Sequence, residues 1–378
     1  MIQRTIAKTI LQDLSDGRKV VILYGPRQAG KTTLARQVLQ QLPYKSLEIN
    51  ADQQKFIEVL SSRDLAQMQR LVGDSELLFI DEAQHVPNIG INLKILHDGM
   101  PNLRIIATGS SSFELANQVK EPLTGRTRTH TLYPISVQEL RPSHTDFALD
   151  DRLEDFLLFG MYPEILQLDT PEQKTRHLRE LASAYLYKDI LQLSSIKNSD
   201  KIFRLLRLLA FQVGSQVSTH ELGKSLDMSH ETISKYIDLL EKGFIVFRLS
   251  GYSRNLRKEV SKMNKVYFYD TGIRNVLVEN FNPLQWRQDA GQLWENFLLV
   301  ERLKKLAYQP AFHANQYFWR TYTGAELDYV EETGGRLHGF EFKWGKKQAK
   351  PPATWLETYQ EADFQYINRE NYLDFIAA

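Results

Sequence analysis

Cysteine is absent from the 378-residue sequence, which excludes disulfides, thiolate metal sites and a cysteine nucleophile. Long apolar runs are missing as well, because no stretch approaches the roughly 20 apolar residues that span a bilayer. The N-terminal segment is interrupted by charge throughout, so it lacks the apolar core of a signal peptide. These absences predict a cytoplasmic protein with no membrane partner.

Net charge is also nearly absent, since 47 basic and 46 acidic side chains leave a formal charge of +1. Bulk electrostatics therefore gives no reason to expect nucleic acid, and any DNA-binding surface must be a local patch. The hydrophobic fraction of 42% is ordinary for a soluble protein with a buried core. At about 100–200 residues per domain, the length predicts two or three domains.

Apolar runs alternate with helical patterns in the first part of the chain. Three runs, VVILY (20–24), LLFID (77–81) and LRIIAT (103–108), are typical of strands that are buried on both faces of a parallel sheet. Residues 1–19 and Thr33–Leu42 have the apolar spacing of helices. This alternation predicts a doubly wound α/β domain.

A complete phosphate-binding motif, G-x-x-x-x-G-K-[ST], follows the first strand and precedes a helix. Gly25 and Gly30 let the backbone curl so that N–H groups point at phosphate oxygens, and the helix adds its positive end. We expect Lys31 to reach the β- and γ-phosphates and Thr32 to supply its hydroxyl to Mg²⁺. The residues predicted to bind ATP are Gly25, Pro26, Arg27, Gln28, Ala29, Gly30, Lys31, Thr32 and Thr33.

Carboxylates follow the second apolar strand, about fifty residues further along the chain. Asp81, at the strand's end, is predicted to hold Mg²⁺, and Glu82 to polarise the attacking water. The third strand leads into Thr108 and Ser110, where a polar side chain could contact the γ-phosphate or water. Ser110 is the first choice and Thr108 the second, and capping of a helix is the alternative role.

A basic side chain is the remaining component of such a site, because an arginine finger or sensor stabilises charge in the transition state. Arg126, in Gly125-Arg126, is the first choice for this role. Arg128 is the competitor. Pairing with a carboxylate is the alternative role for Arg126.

Residues 216–270 have the pattern of a helix–turn–helix followed by two strands, which indicates a winged helix. Ser229 is predicted to cap the second helix, and Gly243 to end it. The predicted elements are helices Thr219–Leu226 and Glu231–Lys242, and strands Phe244–Leu249 and Lys265–Tyr269.

Basic residues outnumber acidic ones by nine to four between positions 235 and 274, a local balance of +5. Several lie in Arg254–Lys265, where the tip of a wing would grip phosphates. Glu231, at the start of the second helix, would face phosphates unfavourably. The pattern favours DNA contact, and a winged helix that binds a protein is the alternative.

A set of carboxylates with a lysine lies near the C-terminus. Glu341 and Lys343 are two residues apart in one strand, so both point to the same face. Asp328 on the preceding strand and Glu295 on a helix could join them. Such a set would bind Mg²⁺ or Mn²⁺ and activate water, with Lys343 orienting that water, whereas the alternative is a hairpin with cross-strand ion pairs.

The sequence as a whole resembles prokaryotic ATPases that combine an AAA-type P-loop domain with a C-terminal domain of unknown function called DUF4143. The segments that carry this resemblance are GPRQAGKTTL (25–34), LLFIDEAQ (77–84), ATGSSSFEL (107–115), LTGRT (123–127), LYPISVQEL (132–140), FGMYPEIL (159–166), YLYKDI (185–190), VYFYDTGIRN (266–275), GQLWENFLLVERLKK (291–305) and ELDYV with FEFKWG (326–345).

The resemblance implies an α/β fold in which a P-loop NTPase core of the AAA type precedes a helical and winged-helix middle and a C-terminal α/β domain similar to PD-(D/E)xK nucleases. In that nuclease pattern Asp328, Glu341 with Lys343, and Glu295 match the active-site residues, although Leu327 stands where the pattern has proline. The implied domains are 1–140 (ATPase), 141–215 (helical lid or linker), 216–280 (winged helix) and 281–378 (nuclease-like).

Three functions follow as expectations. The first is an ATPase that hydrolyses ATP with Mg²⁺ and binds or remodels duplex or branched DNA. The second is an ATP-dependent, metal-requiring DNA nuclease, and the third is a nucleotide-controlled switch that binds a protein. Because AAA-type enzymes usually hydrolyse ATP at subunit interfaces, a homo-oligomeric ring is compatible with each.

Overall fold

The structure is a computed structural model that describes residues 2–109, 122–184, 199–253, 264–309, 314–345 and 350–377. These residues form two compact units. The first contains the chain up to Ile135 together with Lys242–Phe244, and the second contains the rest from Ser136 onward. Within the described ranges, no helix combines the length and apolar character needed to cross a bilayer.

The first unit is built around a parallel sheet in the order β2-β3-β4-β1-β5. Its strands are β1 Val20–Tyr24, β2 Ser46–Asn50, β3 Leu77–Asp81, β4 Arg104–Gly109 and β5 Thr127–Thr131. Its helices are α1 Ala7–Asp16, α2 Lys31–Leu39, α3 Gln54–Leu60, α4 Leu65–Val72 and α5 Ile89–Gly99.

The central strands of this sheet are almost entirely apolar. Every residue of β1 and β3 is buried, as expected for strands covered on both faces. All neighbouring pairs are parallel, so the carboxyl ends of the strands lie at one edge. The α/β class and the P-loop core predicted from the sequence are confirmed.

The second unit begins with helices and ends with a six-stranded sheet. Its helices are α6 Val137–Leu140, α7 Asp146–Asp151, α8 Leu153–Phe159, α9 Pro171–Ala184, α10 Ser199–Phe211, α11 Thr219–Leu226, α12 His230–Lys242, α13 Thr271–Leu277, α14 Ala290–Ala307, α15 Ala353–Thr358 and α16 Tyr372–Ala377. Its strands are β6 Val246–Gly251, β7 Asn264–Phe268, β8 Asn315–Arg320, β9 Glu326–Thr333, β10 Arg336–Phe342 and β11 Asp363–Ile367.

The strands predicted to form a wing belong to a larger sheet, whose order is β11-β10-β9-β8-β6-β7. β6 and β7 form an antiparallel pair, and Ser250 and Gly251 of β6 also pair with β8 in parallel. The pair therefore extends the C-terminal sheet. The division into winged-helix and nuclease-like domains stays a prediction, and most of the predicted wing tip, 254–263, lies outside the described residues.

Candidate functional sites and relatives

The phosphate-binding loop joins β1 to α2 and depends on two glycines. Gly25 has a φ of 151°, and a Cβ built there would lie 2.1 Å from the Leu132 carbonyl oxygen. Gly30 has a φ of 96° and precedes the first residue of α2. Only glycine adopts these conformations without strain, so the loop backbone needs glycine at both ends.

Lys31 is a buried cation inside this loop, with 6% of its surface exposed. Its Nζ donates hydrogen bonds to the carbonyl oxygens of Gly25 and Pro26, both at 2.9 Å. The ammonium group therefore lies against the loop backbone. A phosphate group held by the loop amides would meet this positive charge.

Asp81 links three elements of the first unit through hydrogen bonds to its carboxylate. It ends β3, and its carboxylate accepts a hydrogen bond from the Thr32 hydroxyl on α2, at 2.8 Å to Oδ2 and 3.1 Å to Oδ1. Thr108 of β4 donates to Oδ1 of the same carboxylate. Because β4 lies between β1 and β3, Thr108 occupies the place between the loop and Asp81. The hydroxyl and carboxylate oxygens of Thr32 and Asp81 are donors that suit Mg²⁺.

Glu82 directly follows Asp81 and has a left-handed backbone, with a φ of 53°. Such a conformation is unfavourable for glutamate and often occurs at functional sites. The Gln84 side chain donates to Glu82 Oε2 at 2.5 Å, which orients the carboxylate. Glu82 thus lies beside the Mg²⁺ ligand predicted from the sequence, and its role as the water-polarising residue stays a prediction.

The other predicted residues of the ATP site have different placements. Ser110 lies outside the described residues, whereas Thr108 contacts Asp81 directly. Arg126 immediately precedes β5, whose first residue pairs with Val20 at the start of β1. The starts and ends of these five-residue strands are about 13 Å apart, so Arg126 lies at the edge opposite the phosphate loop.

Both arginines are engaged by carboxylates instead. Arg126 Nε donates to Asp98 Oδ1 at 2.9 Å, and Arg128 lies 3.7 Å from Asp13. Arg126 therefore does not meet the loop of its own chain. A role as arginine finger would require action on a neighbouring copy, and it stays a prediction.

The C-terminal carboxylates predicted from the sequence come together in the second unit. Burial, followed by the charges of Glu295 and Glu341, raises the pKa of Asp328. The Phe342 amide donates to Asp328 Oδ2 at 2.8 Å, which ties β10 to β9. Lys343 Nζ donates to Glu341 Oε1 at 2.5 Å. The side chains grouped by the sequence pattern thus lie near one another, and their role as a site stays a prediction.

Two residues of β7 also belong to this cluster, and the carboxylate set predicted from the sequence did not include them. The Lys265 ammonium lies 3.3 Å from Glu295 and 2.6 Å from Glu326, and only 3% of the residue is exposed. Burial alone would lower the pKa of Lys265, but these two carboxylates outweigh it and raise that pKa. The Tyr267 hydroxyl donates to Glu295 Oε1 at 2.5 Å.

These contacts determine how well the cluster suits a metal ion. Lys265 holds Glu295, and Lys343 holds Glu341, so both carboxylates already face ammonium groups. Across the described ranges, no group of three or more histidine, aspartate or glutamate side chains is arranged to hold a metal. Glu295 and Glu341 therefore each have an ammonium partner already, and a metal-binding role for the cluster stays a prediction.

Three of the basic residues counted near the helix–turn–helix have carboxylate partners in the structure. Arg248 lies within hydrogen-bonding distance of both Glu241 and Asp238, and Arg274 is buried beside Asp289. Lys265 is buried in the cluster described above. Nearby carboxylates neutralise these three charges. Lys235 of α12 is exposed, and Arg254, Arg257, Lys258 and Lys262 lie outside the described residues.

Comparisons with known proteins agree with this architecture. The family model described as "AAA domain" matches residues 17–141, and two described as domains of unknown function, DUF8612 and DUF4143, match residues 150–284 and 290–369. An uncharacterized protein of Mycobacterium tuberculosis is 32% identical over 347 residues, which cover 91% of this chain and 74% of the relative. An uncharacterized protein of Methanocaldococcus jannaschii is 24% identical and covers 75% of this chain and 66% of the relative.

A solved structure supports the fold. The Walker-type ATPase of Pyrococcus abyssi superposes with a TM-score of 0.50 at 16% identity, covering 74% of this chain and 96% of that chain. The sheet order and the phosphate loop define a P-loop ATPase fold of the AAA type. The chain belongs to the family of prokaryotic proteins that join this AAA domain to a DUF4143 domain.

Proposed function

We propose that the protein binds ATP with Mg²⁺, hydrolyses it to ADP and phosphate, and uses this cycle to act on DNA. The arrangement of Lys31, Thr32 and Asp81 around the phosphate loop carries the first part of the proposal. It places an ammonium group, a hydroxyl and a carboxylate beside backbone amides that can surround a triphosphate.

Each residue of the site has a distinct chemical task. Lys31 neutralises charge that develops on the β- and γ-phosphates as the bond between them breaks. Mg²⁺, when bound, screens the same oxygens, and Thr32 and Asp81 would hold it. Glu82 orients water for attack on the γ-phosphorus and accepts its proton, and ADP leaves with the bridging oxygen.

Purified protein with ATP and Mg²⁺ provides the direct test. We expect nucleotide binding and phosphate release in the wild type, and loss of both in Lys31→Ala. Lys45→Ala is the matched control, because Lys45 is an exposed lysine of the same unit that pairs with Asp74. A folded wild type that binds neither ATP nor ADP would contradict the proposal.

DNA action is supported by the helix–turn–helix itself. Ser229 caps the start of α12, because its hydroxyl accepts from the Thr232 amide at 3.2 Å, and exposed Lys224 and Lys235 lie on α11 and α12. Basic side chains on such helices contact phosphates. ATP turnover that rises with duplex, forked or four-way DNA would support the proposal.

Unchanged turnover and no DNA binding would instead favour a nucleotide-controlled switch. In that case ATP would change the affinity for a protein partner while DNA has no effect. Assembly into a ring of subunits is tested by measuring the molecular mass in solution with and without ATP. A mass that increases with ATP would support a ring.

A metal-dependent DNA nuclease is the second candidate, because Asp328, Glu295 and Glu341 converge on one site with Lys343. The ion pairs that Lys265 makes with Glu295 and Glu326 weigh against it. DNA cleavage with Mg²⁺ or Mn²⁺ that disappears in Asp328→Ala and Lys343→Ala would support this function. Intact DNA after long incubation would rule it out.

A further inference from the structure

Arg4 is a buried cation next to the phosphate loop, although it lies 21 residues before the motif begins. Only 5% of its surface is exposed. Its two terminal nitrogens donate to different backbone carbonyls: Nη1 to Ala29 at 2.9 Å and Nη2 to Tyr133 at 2.6 Å. Ala29 lies within the loop, and Tyr133 follows β5, so one guanidinium group links two separate segments.

The contact with Ala29 restrains the peptide that joins Ala29 to Gly30. Peptide bonds of the described residues are trans, and in a planar trans peptide the C=O and N–H bonds point in opposite directions. When Arg4 holds the Ala29 carbonyl, the Gly30 N–H must point away from Arg4. Gly30 needs this restraint, because glycine has more accessible backbone conformations than any other residue.

The contact with Tyr133 anchors this restraint to the sheet. Leu132, the preceding residue, donates its amide to the Tyr24 carbonyl at 2.8 Å, which extends the pairing of β5 with β1. The Leu132 carbonyl also lies against Gly25 at the other end of the loop. Arg4 therefore ties the end of the phosphate loop to the same strand that supports its beginning.

We propose that Arg4 is a positioning residue for the nucleotide, which keeps the amide of Gly30 directed at the phosphates by holding the carbonyl of Ala29. The inference rests on the proposed function of ATP binding. It also gives the segment before α1 a role at the nucleotide site. Arg4 acts through the loop backbone and does not need to touch the nucleotide.

Nucleotide affinity in two Arg4 variants tests this role. In Arg4→Met we expect ATP and ADP to bind about tenfold or more weakly, as for loss of a hydrogen bond from a charged group. KM for ATP should rise more than kcat falls, because ground-state binding is lost. Arg4→Lys should lie between Arg4→Met and the wild type, since an ammonium group keeps the charge but lacks the two-pronged geometry.

Two controls separate positioning from general stability. Lys8→Met removes an exposed cation from α1 and should leave affinity and turnover unchanged. Hydrogen exchange measured with ADP bound should show lost protection in 25–34 for Arg4→Met, while β3 and β4 keep theirs. A variant that only lowers the melting temperature would keep both its nucleotide affinity and its protection in 25–34, as long as the protein is measured in its folded state.

Each outcome decides the inference. Wild-type affinity and exchange in folded Arg4→Met would overturn it while leaving the proposed ATP binding intact. If Arg4→Met does not fold, Arg4→Lys decides by the same measurements. If the wild type binds no nucleotide, both the inference and the proposed function fail, and Lys31→Ala then behaves like the wild type.

Discussion

Thr108 donates a hydrogen bond to the carboxylate of Asp81 from the neighbouring strand of the parallel sheet. Asp81 is 8% exposed, and Thr108 is fully buried. A buried carboxylate that accepts from Thr32 and Thr108 together has a fixed orientation. The position of the predicted Mg²⁺ ligand thus depends on the strand inserted between β1 and β3.

Removal of the Thr108 hydroxyl should slow ATP hydrolysis. Thr108→Val keeps the shape of the side chain but leaves Asp81 with one donor fewer. We expect kcat to fall about tenfold, in line with loss of a hydrogen bond to a charged group. Steady-state phosphate release measures this, and Thr108→Ser, which keeps a hydroxyl, should retain most activity. Equal kcat in Thr108→Val and the wild type would show that the contact is dispensable.

Glu82→Gln should separate ATP binding from ATP hydrolysis. The substitution preserves the side-chain shape but removes the group that accepts a proton from water. We expect hydrolysis to drop at least about 100-fold, which is typical for loss of a general base, while ATP affinity stays close to that of the wild type. Calorimetry and phosphate release measure the two quantities. Glu58→Gln, at an exposed position of α3, is the control, and unchanged turnover in Glu82→Gln would exclude the proposed role.

Arg126→Ala should leave nucleotide affinity unchanged, because Arg126 lies at the edge of the sheet opposite its own phosphate loop. The ATPase activity of Arg126→Ala distinguishes the two possible roles of Arg126. If Arg126 completes the site of a neighbouring copy, Arg126→Ala is inactive alone, and mixing it with Lys31→Ala restores part of the activity. If Arg126 only pairs with Asp98, Arg126→Ala hydrolyses ATP at the wild-type rate at every protein concentration.

Lys235 and Arg248 should differ in their effect on DNA binding. Lys235 is exposed on α12, whereas Arg248 is held by Glu241 and Asp238. Lys235→Ala should weaken DNA binding and reduce the slope of log affinity against log salt by about 1, as for loss of one phosphate contact. Arg248→Ala should leave that slope unchanged. Fluorescence anisotropy at several salt concentrations measures both, and a reduced slope for Arg248→Ala alone would contradict this assignment.

Asp270 should make folding stability depend on pH. Burial raises the pKa of Asp270 from 3.8 to about 6, although backbone amides such as that of Met161 oppose the shift. The folded chain therefore binds the proton more tightly than the unfolded chain between these pH values. Stability from this group falls as pH rises from about 4 to about 6 and is constant above, with a total change of roughly 3 kcal/mol.

Denaturant unfolding of the wild type and Asp270→Asn at pH 4, 5, 6 and 7 tests this dependence. As pH rises to about 6, the unfolding free energy of the wild type should fall relative to that of Asp270→Asn. Asp151→Asn, at an exposed position of the same unit, should show no such shift. A pH-independent difference for Asp270→Asn would mean that Asp270 does not titrate in this range.

The sequence predicted the interior strands better than the edges of the sheets. β1, β3 and β4 are continuous apolar runs, and the structure places them at the centre of the first sheet within one residue of the predicted bounds. β2 and β5 escaped prediction because SLEIN and TRTHT carry mostly polar side chains. Strands at an edge have a solvent-facing side, so they need no apolar run.

The helix–turn–helix region shows a similar division. Its first helix is Thr219–Leu226 in both prediction and structure, because apolar spacing is a local signal, and Ser229 caps the second helix as predicted. Pairing of β6 with β8 joins residues more than sixty positions apart. No local pattern encodes such a contact, so the sheet to which the predicted wing belongs could not be read from the sequence.

The sequence by itself determined the phosphate loop, since its two glycines, its lysine and its threonine all lie within eight consecutive residues. It also led to the prediction that Asp81 and the C-terminal carboxylates belong to functional sites. Only the tertiary structure decided that Thr108 orients Asp81, that Arg4 holds the loop, that Arg126 lies at the opposite edge and that Lys265 is buried. These four outcomes depend on strand order and long-range packing, which join residues that no spacing along the chain connects.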